Sequence, residues 1–267
     1  MRSAARLRTI IDVSATVLCC TPTYALRLAE VATAENIDLT ASRVRTILVA
    51  GEPGGSIPSV RSHLSKLWHG ARVVDHHGMT EIGPVSYGCP QRPEVLHIIE
   101  QSYIAEVIDP KTGLPAPRGT TGELVLTNLG RLGSPLLRYR TSDMVRAASA
   151  DRCECGSTDL ALEGGILGRT DDMLVIRGVN VYPSAVDNIL RGFHAVREYR
   201  VEIENHRSLP ELRIQVEPAP EHVNDSNLPH RLEAALTNAF ALRIPVSLVP
   251  AGSLPRFEMK ARRWHAL

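Results

Sequence analysis

The chain has 267 residues, 43% of them hydrophobic and 22% charged, with a formal net charge of +1. That size suits one large domain or two smaller ones around a sizeable core, and the near-neutral balance gives no reason to expect nucleic acid or an anionic membrane as partner. No apolar run reaches the length of a membrane span, no apolar core or cleavage site follows the basic start, and five cysteines do not make a disulfide framework in a chain this long; the expected compartment is the cytoplasm.

The first third alternates helix and strand. A helix is predicted over 4–13 and a short buried strand over 16–20. Pro22 opens a helix over 24–35, with Thr21 or Thr23 as its cap. A strand over 45–50, a helix over 57–68 and a strand over 72–76 complete an order that packs as a parallel sheet. Ligands of such sheets bind at loops that follow the strand ends. Two loops are singled out on that ground, Gly51-Glu52-Pro53-Gly54-Gly55 and His77-Gly78-Met79-Thr80-Glu81.

The middle of the chain predicts a small antiparallel β region. It has an alternating segment over 98–108, a turn at Asp109-Pro110-Lys111-Thr112-Gly113, and strands over 122–127 and 136–139. The stretch from Gly168 to Pro183 then changes character. Gly168-Arg169-Thr170-Asp171-Asp172 is polar and loop-like, and the β-branched run behind it ends at Gly178. It reads as a hinge between a domain of residues 1–170 and another of 171–267. In the latter, a strand over 173–176, a helix over 183–190, a hairpin of 197–204 with 211–217, a helix over 228–240 and a final strand over 244–249 give a β-α-β-β-α-β order. The tail through Leu254-Pro255-Arg256-Phe257-Glu258-Met259-Lys260 reads as a loop. The fold class is thus an α/β large-domain portion with a small β region, followed by an α+β C-terminal domain.

Several side chains could carry chemistry, each with a plainer alternative. Thr80-Glu81 after a strand can hold Mg²⁺ and orient a phosphate, or form a helix N-cap with an acidic first turn. Asp143 can accept hydrogen bonds from ribose hydroxyls, or be a surface turn residue. Lys260 can neutralise a transferring phosphate or carboxylate, or be a solvated tail lysine. Cys153-x-Cys155, joined by Cys89 and His97, can bind zinc as a structural site, or be buried reduced thiols. Cys19 and Cys20 lie in a predicted strand and are expected in the core. No G-x-x-x-x-G-K-[ST] loop, G-x-G-x-x-G or G-x-S-x-G motif is present. The Gly51–Gly55 loop has no lysine, and its glutamate disfavours phosphate; it suits the approach of a flat ring to the backbone.

Six segments in order carry a resemblance: Ala50-Gly51-Glu52-Pro53-Gly54-Gly55, Asp75-His76-His77-Gly78-Met79-Thr80-Glu81, Gly119-Thr120-Thr121-Gly122-Glu123-Leu124, Tyr139-Arg140-Thr141-Ser142-Asp143, the hinge stretch, and the tail ending at Lys260. Together they resemble the adenylate-forming superfamily, and most closely the phenylacetate–CoA ligase group within it. The resemblance implies the adenylate-forming enzyme fold in partial form, and a ligase joining an aryl or arylacetic acid to coenzyme A through an acyl-AMP. It makes Gly51, Glu52 and Pro53 the wall against the adenine, and His77, Gly78, Met79 and Thr80 the loop past the AMP and acyl carboxylate. Glu81 becomes the Mg²⁺-linked carboxylate, Asp143 the ribose ligand, Arg169 its neighbour on the nucleotide, Asp171 the pivot, Gly178 the wall of the pantetheine tunnel and Lys260 the lysine that assists adenylation. The resemblance also implies that a cysteine/histidine cluster can hold zinc, as in related ligases of this group, which favours that reading of Cys89, His97, Cys153 and Cys155.

The implied cofactors are ATP/AMP, Mg²⁺, coenzyme A and a structural Zn²⁺. The implied partners are a small carboxylic acid and CoA, with no nucleic acid or membrane and with room for a homodimer. Alternatives are transfer of the acyl group to a carrier protein or amine, and a non-catalytic remnant that binds AMP or zinc. Three departures stand out. The family's Ser/Thr/Gly-rich loop for the β- and γ-phosphates is missing, so the chain is expected to begin partway through the large domain. Met259 replaces the glycine usual before the lysine, and His77 stands where an aromatic residue often precedes the equivalent of Gly78.

Overall fold

The computed structural model describes residues 2–206, 209–258 and 260–266; the glycine replacement at Met259 lies outside them. Contacts divide the chain into two compact units, Met1–Asp171 and Asp172–Leu267. Among the described residues no helix is long and apolar enough to cross a membrane.

In the first unit, β1 (Val17–Cys20), β2 (Thr46–Val49) and β3 (Arg72–Asp75) pair in parallel in that order, accompanied by helices α1 (Ser3–Asp12), α2 (Pro22–Ala34) and α3 (Pro58–Leu67). The Thr21 hydroxyl accepts the Tyr24 N–H at 3.1 Å and Pro22 stands in the first turn, so α2 begins where an orphan donor is met. Leu28 of α2, Leu64 of α3 and Ile47 and Val49 of β2 are wholly buried in one cluster. Burial on that scale stabilises by roughly 1.5–3 kcal/mol per side chain. The expectation of a core role fails for Cys19, which is exposed; Cys20 is half-buried and packs on the cluster. The reason is the period of two along an edge strand: alternate residues of β1 point away from the helix-covered face.

The chain then turns antiparallel. Strands β4 (Gly78–Met79) and β5 (Gly83–Pro84) pair with each other, and β6 (Ser86–Gly88) pairs with β7 (Val95–Ile98). Strands β8 (Tyr103–Ile108), β9 (Thr121–Asn128) and β10 (Tyr139–Arg146) form a meander. Two short returns complete these sheets: β11 (Ala161–Glu163) on β7 and β12 (Gly168–Arg169) on β10. The alternating segment at 98–108 is therefore not one strand. A turn closed by the Tyr103 N–H on the Ile99 carbonyl separates β7 from β8, which lie in different sheets. The strand expected over 136–139 is displaced as well. Leu137 is exposed and Arg138 has φ +46°, so β10 starts only at Tyr139.

In the second unit, β13 (Leu174–Ile176) and β14 (Val179–Val181) make a hairpin, followed by α4 (Pro183–Arg191), β15 (Val196–His206), β16 (Leu209–Pro218), α5 (Leu228–Phe240), β17 (Val246–Leu248) and β18 (Trp264–Ala266). The main sheet has the order β17-β16-β15-β18. Leu228, Leu232 and Leu236 recur every fourth residue on α5 and are fully buried with Val186 and Leu190 of α4. One expectation is corrected here. The strand after the hinge pairs with β14 instead of joining the main sheet, because Arg177 (φ +49°) and Gly178 (φ +83°) turn the chain straight back. The described residues of the tail over 254–260 are irregular, as expected, and beyond them β18 pairs in parallel with β15.

Candidate functional site

The loops at the ends of β2 and β3 are tied together by buried polar groups. Glu52 accepts the Thr23 N–H at 2.7 Å, so its carboxylate rests at the N-terminus of α2. Pro53 follows it between Gly51 (φ +91°) and Gly54 (φ +154°). The Ser56 hydroxyl donates to Asp75, whose other oxygen accepts the His76 N–H at 3.0 Å. Burial pushes the Asp75 carboxyl up from its ordinary value. A Cβ at Gly55 would overlap that carboxyl, and one at Gly165 the Ser56 hydroxyl. The two loops are thus closely packed, and Ser56 and Asp75 were not singled out as site residues from the sequence.

Asp143 is aimed by a distortion in β10. The register shifts between Arg140 and Met144, and Ser142 has φ +64°, the local signature of a bulge that re-aims a side chain. Glu123 holds the bulge, accepting from the Ser142 N–H at 3.2 Å and from Arg140, while the Thr141 hydroxyl donates to the Leu124 carbonyl at 2.8 Å. Asp143 then accepts from His77 Nε2 at 2.9 Å and from Arg169 at 3.3 Å. Arg169 is its cross-strand partner on β12, and also donates twice to Asp171, at 2.8 Å each. Those bonds hold the Asp171 carboxyl below its ordinary range. His77 Nδ1 is buried and has no hydrogen-bond partner among the described residues.

Thr80 and Glu81 lie in the turn between β4 and β5, so no helix follows them. The Tyr139 hydroxyl donates to Glu81 at 2.8 Å, and Arg131 donates to the Glu81 carbonyl at 2.7 Å. Glu81's own backbone N–H, then the Tyr139 hydroxyl, hold its carboxyl below the ordinary range. A cleft of about 350 Å³ lined by Ile82, Gln101, Tyr103, Asn128 and Arg131 opens beside this turn. Tyr139 lies inside a motif quoted from the sequence, whereas nothing in sequence spacing marks Arg131, fifty residues from its partner.

The sulfur and imidazole groups also converge. Cys89 Sγ, His97 Nε2, Cys153 Sγ and Cys155 Sγ lie within 4.8 Å of one another. The Cys89–Cys153 separation is 3.7 Å and the Cys155–His97 separation 3.4 Å. A tetrahedral zinc with ordinary bond lengths requires edges of about 3.8 Å between sulfurs and about 3.5 Å from sulfur to nitrogen. The donor set and spacing fit that ion. His97 is fully buried in β7, and its Nδ1 donates to the Asp159 carbonyl at 3.2 Å, which leaves Nε2 as the ligand atom. The Arg92 N–H donates to Cys89 Sγ, and Cys153 and Cys155 flank a tight turn closed from Gly156.

In the second unit, Gly178 is the second residue of the two-residue β13–β14 turn, with nothing within 4 Å of a Cβ built there. Lys260 is exposed in the segment before β18.

Known proteins bear on this arrangement. Residues 1–130 match the family model for AMP-binding enzymes, and residues 178–265 that for the AMP-binding enzyme C-terminal domain. The phenylacetate-coenzyme A ligase of Thermus thermophilus is 34% identical over 262 residues, covering 91% of this chain and 58% of that protein. The phenylacetate-coenzyme A ligase of Escherichia coli is 30% identical, covering 91% and 56%. The chain therefore spans somewhat over half the length of these relatives. A crystal structure of a 2-hydroxyisobutyryl-CoA ligase in complex with 2-HIB-AMP superposes with a TM-score of 0.91 at 29% identity, covering 99% of this chain and 57% of that one. The fold is that of adenylate-forming enzymes, and the chain belongs to the AMP-binding enzyme family.

Proposed function

We propose that the chain carries the nucleotide and C-terminal parts of an ATP-dependent acid–CoA ligase acting on an aryl or arylacetic acid through an acyl-AMP. The observation that carries this reading is Asp143, re-aimed by the bulge of β10 and flanked by His77 and Arg169 beside the ends of a parallel sheet. The likeness to phenylacetate-coenzyme A ligases over 91% of the chain supports the substrate class.

In this reading Gly51, Glu52 and Pro53 face the adenine, and Asp143, with Arg169 beside it, accepts the ribose hydroxyls. His77, Gly78, Met79 and Thr80 pass the phosphate and acyl carboxylate. A carboxylate oxygen attacks the α-phosphorus of ATP, and pyrophosphate leaves. The thiol of coenzyme A then attacks the acyl carbon, forming the thioester as AMP leaves. Lys260 neutralises charge in the first step, and Gly178 borders the thiol path in the second. Asp171 is the pivot between these states. Glu81 would hold Mg²⁺, which supplies neutralisation of phosphate charge. Cys89, His97, Cys153 and Cys155 would hold Zn²⁺ as a structural ion. The reading places the chain in the cytoplasm and allows a homodimer.

Thermal unfolding with AMP tests the nucleotide site. At a hundredfold excess over Kd, AMP stabilises by about 2.7 kcal/mol, or roughly 5–10 °C. An unchanged Tm at millimolar AMP counts against the site. Pyrophosphate release from ATP and an arylacetic acid, assayed with and without CoA, separates a CoA ligase from transfer to a carrier protein or amine.

A further inference from the structure

The second unit buries two carboxylates side by side. Glu198 on β15 and Glu217 on β16 are cross-strand partners on the two inner strands of the sheet, beside the bulge at the end of their ladder, 6% and 0% exposed. Directly opposed residues project on the same face, so two buried like charges would oppose folding unless each is neutralised. Both are, and largely from one segment. Arg263 donates to Glu198 with two nitrogens, at 2.6 and 3.2 Å, and stacks over Tyr199, its carbon 5.1 Å from the ring centroid. Arg256 donates twice to Glu217, once at 3.1 Å, and the Leu254 N–H donates to the same carboxylate at 3.4 Å. Arg191 and Arg197 complete the charge balance, at 3.4 Å from Glu198 and 4.0 Å from Glu217. Burial pushes both carboxyls up, yet the guanidinium groups bring them below the ordinary glutamate range.

The two arginines bracket Lys260. It stands four residues after Arg256 and three before Arg263, exposed while Arg263 is buried. A mobile lysine acts well only if its loop returns to one place, because proximity depends on prepaid ordering. We propose that Glu217–Arg256 and Glu198–Arg263 are positioning pairs that fix the chain on either side of Lys260 and so present it. This rests on the adenylation role given to Lys260 above. The arrangement also makes docking of the tail obligatory, since its release would leave facing carboxylates short of their partners.

Hydrogen exchange read by mass spectrometry compares the full chain with Glu217→Gln, Arg256→Lys and Lys260→Ala. In parallel, pyrophosphate release from ATP with an arylacetic acid measures adenylate formation, and supplied acyl-AMP with CoA measures acyl transfer. Glu217→Gln is expected to speed exchange over 257–262 about tenfold while α5 stays protected. Adenylate formation should fall about tenfold, with acyl transfer within about twofold of native. Arg256→Lys keeps the charge but loses the fork and should lie between native and Glu217→Gln. Native-like exchange over 257–262 in both pair variants, or acyl transfer falling in step with adenylate formation, overturns the proposal. The role of Lys260 fails separately: if Lys260→Ala matches the native chain in adenylate formation, or the native chain forms none, that reading falls while the exchange data still decide whether the pairs hold the segment.

Discussion

Two histidines in the first unit carry the same ring under different conditions. His97 lies in the central strand of the sheet ordered β11-β7-β6, fully buried, with a backbone carbonyl on Nδ1 and thiol sulfur beside Nε2. His77 lies in the loop between β3 and β4, with a carboxylate on Nε2 and no partner on Nδ1 among the described residues. A carbonyl only accepts, so it fixes the His97 tautomer and leaves the other nitrogen as a lone-pair donor to a metal. The Asp143 carboxylate does the same for His77, and in the proposed reading it is also the group offered to a ligand. On that reading one histidine closes a structural cluster, while the other tunes a site that must stay open. Substitutions at the first should change stability, and those at the second should leave stability nearly unchanged and move affinity only slightly.

The largest effect is expected at the thiol cluster. With free zinc at a thousandfold excess over Kd, a bound ion stabilises by about 4 kcal/mol, so chelation should lower Tm by roughly 8–16 °C. His97→Phe should abolish most of that zinc-dependent difference. Elemental analysis of the purified chain gives the independent check. A chain without zinc whose Tm ignores both zinc and chelator would make Cys89, Cys153 and Cys155 ordinary buried thiols, and the contrast between the histidines would collapse.

A smaller change in energy, expressed in binding, is expected at Asp143. Asp143→Asn removes the charge behind its hydrogen bonds, which in charged pairs contribute about 1.5–3 kcal/mol, or roughly ten- to a hundredfold in affinity. Titration calorimetry with AMP reads this directly. Arg169 retains its two bonds to Asp171 in the variant, so the fold should survive. Native AMP affinity in Asp143→Asn would remove the residue from the site.

The sequence made these elements legible to different degrees. Strands and helices with strong period were plain: α5 shows itself in Leu228, Leu232 and Leu236, and α2 in Thr21-Pro22. The motif segments marked His77, which follows β3, and Asp143, which lies within β10. What stayed hidden depended on backbone sign and on long-range pairing. The positive φ at Arg177 and Gly178, which turns β13 back on β14, is a property of two residues that a strand pattern overrides. The bulge at Ser142 that aims Asp143 is likewise set by Glu123, nineteen residues away. The pairing of β18 with β15, and with it the bracketing of Lys260, follows from buried glutamates on other strands that look like surface residues in the sequence. The Cys153-x-Cys155 spacing suggested a metal, but only the meeting of β7 with the 153–156 turn brings the four donors together.

The smallest effect separates the two histidines most sharply. His77→Phe keeps a ring in the loop and removes two polar atoms at once. The loss of the Nε2 bond to the Asp143 carboxylate costs about 1.5–3 kcal/mol, and the loss of a buried Nδ1 without a partner among the described residues returns about 1–3 kcal/mol. The terms oppose each other, so thermal stability should change by less than about 1 kcal/mol. Asp143 then keeps only Arg169 among these partners, and its freed oxygen is available to a ribose hydroxyl, so AMP affinity should hold or rise within about threefold. Tm and AMP titration of His77→Phe alongside His97→Phe measure both sides. If His77→Phe unfolds the chain as His97→Phe does, then His77 is a structural tie between the β3–β4 loop and β10 rather than a tuner of the open site.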